Sequence, residues 1–233
     1  MTQDLSEGLG GVKVAAFMTA PRYESTWCRN MIETAVKDAG IPLVVSQGVF
    51  YGQCMQNMLH DAITAGVELA ITVDFDSIFT GDDLKYLINQ MATRKWDALA
   101  SLQSRRSMPY PLFTKGKDGF IEFEGEPLEV STAHFGLTGI LLDKLADVPK
   151  PWFHSSPGPD GCWGEGKVDD DICFWRAWSE AGLKVWVDPN LSIGHVEEMV
   201  SLFDPTGKHT FQYPNDWFEQ NIQAKKIEEA TAR

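Results

Sequence analysis

Short apolar runs alternate with longer amphipathic stretches along the first hundred residues, and that rhythm sets the expected elements. Segments 12–17, 41–46, 67–73 and 97–102 are dominated by apolar residues, as in strands buried on both faces. Between the first two, Trp27, Met31, Ile32, Ala35 and Val36 recur at helical spacing across 25–39. Met55, Met58, Leu59, Ala62 and Ile63 do the same across 51–65. Gly40 and Gly66 stand where such helices stop. Thr80 and Asp83 have capping-box spacing ahead of a Leu84, Leu87, Ile88 and Met91 stripe. Strands alternating with helices of this length predict an α/β fold with a mostly parallel sheet. Right-handed crossovers bring the strand C-terminal ends to one edge, so the loops after Phe17, Ser46 and Val73 should carry the chemistry.

The second half has a different pattern. Residues 104–119 form a loop bearing Pro, Lys and Arg, and 120–123 and 128–134 suggest antiparallel strands. A short helix is expected over 139–146, a mobile Gly- and Pro-rich loop over 149–167, and a helix over 169–181 stopped by Gly182. Short strands over 184–187 and 192–195 and a charged helix over 215–232 complete the reading. No linker or repeat divides the chain. One domain in two parts is expected, 12–103 and 104–200, with a tail over 201–233.

Charge narrows the partners. The 233 residues carry 33 acidic against 20 basic side chains, a formal net charge of -13. That disfavours a surface built for nucleic acid, and a chain of this sign that handles phosphates needs a cation. Arg94, Lys95, Arg105, Arg106, Lys115 and Lys117 remain as a local basic rim or as solvated surface. Residues 1–11 lack the pattern of a secretory signal, and no run is long and apolar enough for a membrane span. Cys28, Cys54, Cys162 and Cys173 are scattered, which points to reduced thiols and a cytoplasmic setting.

The sharpest motif is Asp74-Phe75-Asp76, directly after the third apolar run. In extended backbone both carboxylates point the same way, a hard-oxygen pair suited to Mg²⁺ or Mn²⁺, with Phe75 turned inward. A solvated strand end is the alternative. Asp169, Asp170 and Asp171 open a helix, where acids serve capping. Three exceed that need, and their repulsion could raise one pKa toward a useful range. His195 gains meaning only if the fold brings it to Asp76. Gly136, Thr138 and Gly139 read as a turn before a helix, either tight packing or free N–H groups for a substrate oxygen. Thr19, Pro21, Arg22 and Tyr23 follow the first strand, where Arg22 suits a phosphate and Tyr23 a base, or both simply meet solvent. Trp152, Phe153 and Trp163 flank the long loop, available for stacking on a sugar or for the core. Walker A, G-x-G-x-x-G, H-E-x-x-H and G-x-S-x-G patterns are all missing.

In order and spacing, DFD, VSTAHFGLTGILLDKL, KPWF, DDDICFWRAWSEAGLKVWVDP and IGHV resemble a GT-A glycosyltransferase, most of all the small family-2-like enzymes of bacteria and phages. The likeness runs from Val12 to Val196. It implies a nucleotide-sugar donor, typically a UDP-sugar, and Mn²⁺ or Mg²⁺. It assigns Asp76 and His195 to the metal, Asp74 to metal or ribose, and residues 19–23 to uridine. The acidic pair of such enzymes falls on Asp170 and Asp171, with Asp in place of the usual Glu, and makes Asp171 the candidate base. Asn57 matches a donor contact, although Gln56 stands where Arg is usual. Thr138, Gly139 and Trp163 are the candidates for the sugar or acceptor. Acceptors of such enzymes include saccharides and, in phages, modified DNA bases. The competing readings are a sugar-nucleotide-forming nucleotidyltransferase, for which MTAPRYES lacks the Gly-rich basic loop, and a binding module without catalysis.

Overall fold

The computed structural model describes residues 11–105, 111, 113, 125–164, 166–203, 206–214 and 216. The expected strand over 120–123 and helix over 215–232 lie outside the described residues, apart from residue 216. The first half runs β1 (Val14–Ala20), α1 (Thr26–Asp38), β2 (Leu43–Gln47), α2 (Tyr51–Thr64), β3 (Leu69–Asp74), β4 (Ser77–Ile78), α3 (Gly81–Ala92) and β5 (Ala98–Leu102). It continues through β6 (Leu128–Val130), β7 (Leu137–Leu141), a 3-10 helix (Leu142–Asp147), α4 (Asp170–Glu180), β8 (Val185–Ser192), β9 (Gly194–His195), β10 (Val200–Phe203) and β11 (His209–Gln212).

Seven strands form one sheet in the order β2-β1-β3-β7-β5-β8-β6. Strands β1, β2, β3, β5 and β8 run one way, while β7 is antiparallel to β3 and β5, and β6 is antiparallel to β8. The fold is therefore mixed α/β with a mostly parallel sheet. Both halves of the chain contribute to that sheet.

Side-chain alternation splits the core into two layers. Ala15 and Phe17 face α2 and α4, meeting Met55, Leu59, Phe174, Trp175 and Trp178. Val14, Ala16 and Met18 face α1 and α3, meeting Ile32, Val36, Leu84, Leu87 and Met91. The helices start where the sequence marks them. Ser25 caps α1 by accepting from Cys28 N, and Thr80 and Asp83 complete a capping box at α3.

One expectation fails with consequences. The segment expected as a helix over 139–146 is strand β7, in the centre of the sheet, followed by the 3-10 helix. Its continuous apolar run satisfies either element, and pairing to β3 and β5 on both sides decides it. Thr138 is fully buried, with its hydroxyl donating to His134 O. Gly139 lets α3 approach, since a Cβ there would stand 2.7 Å from Met91 Cγ. Thr138 and Gly139 are thus core residues and not a turn that receives a substrate. The two strands expected over 184–187 and 192–195 are one strand, β8, and the two-residue β9. Strands β10 and β11 form an antiparallel hairpin where only a tail was foreseen. No helix among the described residues is long and apolar enough to cross a membrane. All four cysteines are free thiols.

Candidate functional site

At the sheet edge where the parallel strands end, β1 delivers Thr19, β3 delivers Asp74, β5 leads into Gln103 and Ser104, and antiparallel β7 begins just after His134 and Phe135. Thr19 and Asp74 are register partners on adjacent strands. Two cavities open here and meet at Phe75 and Asp76. The smaller, about 400 Å³, is lined by Thr19, Tyr51, Asp74, His134, Trp163 and Asp169–Asp171 among others. The larger, about 670 Å³, is lined by Tyr23, Glu24, Cys28, Val196, Glu197 and Tyr213 among others.

The Asp-x-Asp segment reaches this edge differently from the extended reading. Strand β3 ends at Asp74, and Phe75 and Asp76 form a turn into β4. The turn drops Asp76 into a buried position while Asp74 stays half-buried at the strand end. Phe75 packs against the core but also lines both cavities. Strand β4 pairs antiparallel with β9, Ser77 opposite His195, and Val196 N donates to Asp76 O at 2.9 Å. This two-strand ladder brings His195 Nε2 to 3.3 Å from Asp76 Oδ2 across 119 positions of sequence. His195 Nδ1–H donates to Ser104 O at 3.0 Å, which fixes the ring. A neutral ring then turns its Nε2 lone pair toward a carboxylate oxygen, an arrangement made favourable by a proton or a shared cation. Among the described residues no group of three or more His, Cys, Asp or Glu is arranged to hold a metal ion. Asp76 and His195 pair, and Asp74 lines the smaller cavity together with Asp76.

The three acids at the start of α4 divide their labour. Asp170 reaches across to the N-terminus of α2, where its Oδ2 accepts from Gly52 N at 3.1 Å. The N-cap residue of α2, Phe50, offers no side-chain acceptor, so Asp170 supplies the missing cap from 118 positions away. Asp169 pairs with Lys167 at 3.0 Å on the surface. Asp171 lines the smaller cavity, and its Oδ1 accepts from Ile172 N at 2.8 Å. Burial pushes the Asp171 carboxyl above its ordinary value, with smaller upward contributions from Asp169 and Asp170. Repulsion, the cause expected from sequence, is the lesser part. Gly52 is required by the Asp170 contact, because a Cβ there would stand 2.5 Å from Asp170 Oδ2 and 2.8 Å from Phe153 Cβ. Gly52→Ala is expected to cost on the order of 1–3 kcal/mol in urea denaturation, from overpacking and loss of the cap.

His134 and Tyr51 enter the site without a motif to announce them. His134 is buried, its Nε2–H donates to Ser101 O at 2.7 Å, and its Nδ1 accepts from Gly136 N at 2.9 Å. Burial lowers its pKa to about 4, opposed by the Ser101 bond and assisted by His195. The neutral ring belongs to the folded state, so acidification from the ordinary histidine range toward that value removes stability. In an NMR titration the His134 ring resonances are expected to stay unmoved between about pH 5 and 8, where an unperturbed histidine titrates. Tyr51, the first residue of α2, is held edge-on by Phe135 and Phe153 at 6.3 and 6.0 Å between ring centroids. Burial and the nearby Asp74, Asp171 and Asp170 raise its pKa, keeping the phenol protonated.

Other expected residues separate. Tyr23 is 87% exposed at the rim of the larger cavity, and Arg22 is exposed beside it. Pro21, half-buried, follows the end of β1. Asn57 lies on the solvent face of α2, while its neighbour Gln56 turns inward and accepts from Trp152 N at 2.8 Å. Asn57 is not among the residues that line the two cavities. Trp152 and Phe153 belong to the core, whereas Trp163 is 63% exposed over the smaller cavity. The loop that carries Trp163 is tied at its ends by paired backbone bonds between Ser156 and Val168, both 2.9 Å. Arg94 lies before β5, at the sheet's opposite edge, and is engaged by Glu68 and Asp143 at 3.3 and 3.2 Å. It cannot join a basic rim at this site. Arg106, Lys115 and Lys117 lie outside the described residues.

No protein-family model matches the sequence, and no curated protein sequence matches it. Solved structures do match. A197 from STIV superposes with a TM-score of 0.56 at 15% identity, over 85% of this chain and 94% of that one. GalNAc-T7, in a crystal structure with UDP, GalNAc and Mn²⁺, gives 0.55 at 10% identity, over 79% of this chain and 44% of that one. The fold is similar to that of GT-A glycosyltransferases. At these identities the likeness is one of fold. In this GT-A-like frame the cavities lie where ligands of open α/β sheets bind, at the strand C-terminal ends.

Proposed function

We propose that the chain is a metal-dependent glycosyltransferase that moves a sugar from a nucleotide-sugar, a UDP-sugar in the first instance, to a hydroxyl acceptor. The observation that carries this reading is the Asp76–His195 pair, 3.3 Å apart, at the C-terminal edge of a GT-A-like sheet. One carboxylate oxygen and one imidazole nitrogen suit Mn²⁺ or Mg²⁺ when phosphate oxygens and water fill the remaining positions. Asp76 and His195 are the residues that would hold such an ion. Such an ion, when bound, stabilises the charge that grows on the leaving diphosphate.

The chain's own residues supply the rest. The larger cavity, with Tyr23 at its rim, receives the nucleoside. Thr19, Asp74 and Tyr51 face the donor sugar in the smaller cavity, and Trp163 offers a stacking face from above. The Asp171 carboxylate takes the proton of the acceptor hydroxyl, and that oxygen then attacks the anomeric carbon. The bond from that carbon to the diphosphate oxygen breaks, and the nucleoside diphosphate leaves with the electron pair. Because burial raises its carboxyl pKa, the Asp171 carboxylate is a stronger base than an ordinary aspartate. Asp170, committed to Gly52, positions the helix instead of moving protons. Acidic walls favour an uncharged acceptor such as a saccharide over nucleic acid.

Incubation with a panel of UDP-sugars and Mn²⁺ tests the reading. Release of UDP that chelation abolishes is the expected result. Pyrophosphate release from UTP and a sugar 1-phosphate would instead support a nucleotidyltransferase, and binding without any release a module that does not catalyse.

A further inference from the structure

Residues 103 and 104, just past the end of β5, hold both members of the Asp76–His195 pair without belonging to either segment. The Gln103 side chain is among the most buried polar groups, with Gln103 only 2% exposed. Its Nε2 donates to Ser77 Oγ at 3.1 Å and to Gly194 O at 3.2 Å. Ser77 follows Asp76 directly and Gly194 precedes His195 directly, so one amide group grips the neighbour of each. The next residue, Ser104, accepts the His195 Nδ1–H bond at its carbonyl. The β4–β9 ladder comprises two residue pairs, too few to hold its own register. Space around the amide is filled: a Cβ on Gly136 would stand 2.5 Å from Gln103 Oε1 and 2.8 Å from Ser77 Oγ.

We propose that Gln103 is the positioning residue that sets the spacing of Asp76 and His195, and through it the affinity for the divalent cation. This rests on the metal-dependent reading above. Buried amides that orient ligands from behind act as the outer partners of metal sites do, where removal weakens binding by about 10- to 100-fold. Gln103→Met keeps the length and removes both donors. Ser77→Ala removes one of the two bonds. The β4–β9 ladder then loses its crosspiece while Asp76 and His195 themselves are unchanged.

Electron paramagnetic resonance of free Mn²⁺, titrated with protein in the presence of UDP, reads the affinity without any turnover. Wild type is expected to bind, Gln103→Met about 10- to 100-fold more weakly, and Ser77→Ala between the two. Leu145→Ala, which loosens the core near the 3-10 helix, is the control for general destabilisation and is expected to bind as wild type. Wild-type affinity in a folded Gln103→Met overturns the proposal. If that variant does not fold, wild-type affinity in Ser77→Ala overturns it equally. Failure of the wild type to bind Mn²⁺ with UDP removes the metal reading beneath it, a result distinct from equal binding by all variants.

Discussion

Asp171→Asn is expected to retain less than about one part in a hundred of the transfer rate, within the range of about 10²- to 10⁴-fold for loss of a general base, and yet to melt at a higher temperature than wild type at pH 7. The two outcomes have one cause. Burial raises the Asp171 carboxyl above its ordinary value, so the folded protein holds that proton more tightly than the unfolded chain does. The linked stability is present in full below the unfolded-state pKa and is lost as pH rises through the folded one. At neutral pH the ionised carboxylate therefore costs stability. Asparagine removes the charge, while its Oδ1 can still accept the Ile172 N–H bond. Melting curves should diverge at pH 7 and converge near pH 4. The wild-type rate should fall on the acid side at a pH above the ordinary carboxylate range. An Asp171→Asn enzyme that keeps wild-type turnover would remove this residue from the chemistry.

Asp76→Asn is expected to lower metal-dependent UDP release by at least about 10²-fold, with most of the loss recovered at no attainable Mn²⁺ concentration. Asparagine keeps the shape of the turn between β3 and β4, and the bond from Val196 N to Asp76 O is made by the backbone and survives. What changes is the charge facing His195 Nε2 at 3.3 Å. His195→Ala should reproduce the loss, and the double variant should be little worse than either single one, because the two side chains serve one ion. Independent, additive losses would break the pair into two separate roles. UDP-release assays over a Mn²⁺ series, on all three variants, distinguish these results.

What the sequence discloses is what is local. The Thr80–Asp83 capping box and the Gly40, Gly66 and Gly182 stops act within a few residues, and all hold, with positive φ at the three glycines. The parallel βαβ start follows from periodicity alone. Strand β7 does not, because GLTGILLDKL is apolar enough for either a buried helix or a buried strand, and only the slot between β3 and β5 chooses. The β10–β11 hairpin carried a signal in the alternation of VSLF and HTFQ around a Pro- and Gly-bearing turn, weaker than the charge run that follows it. At the site, the residue types at 74, 76, 171 and 195 stood out. Which of Asp169, Asp170 and Asp171 is committed to capping α2 is illegible, since that choice is made by Gly52 on another helix. His134, Tyr51 and Gln103 matter through burial and partners, and no spacing rule encodes either.

The place of β7 also bears on how the chain is made. Because that strand sits between β3 and β5, the segment from β1 to β5 cannot close its own sheet before β7 is made. The nascent β3 presents an open edge until Leu137–Leu141 arrives, and β5 waits for the same segment. Fragments ending near Leu102 should therefore aggregate, while full-length synthesis depends on shielding that edge during translation.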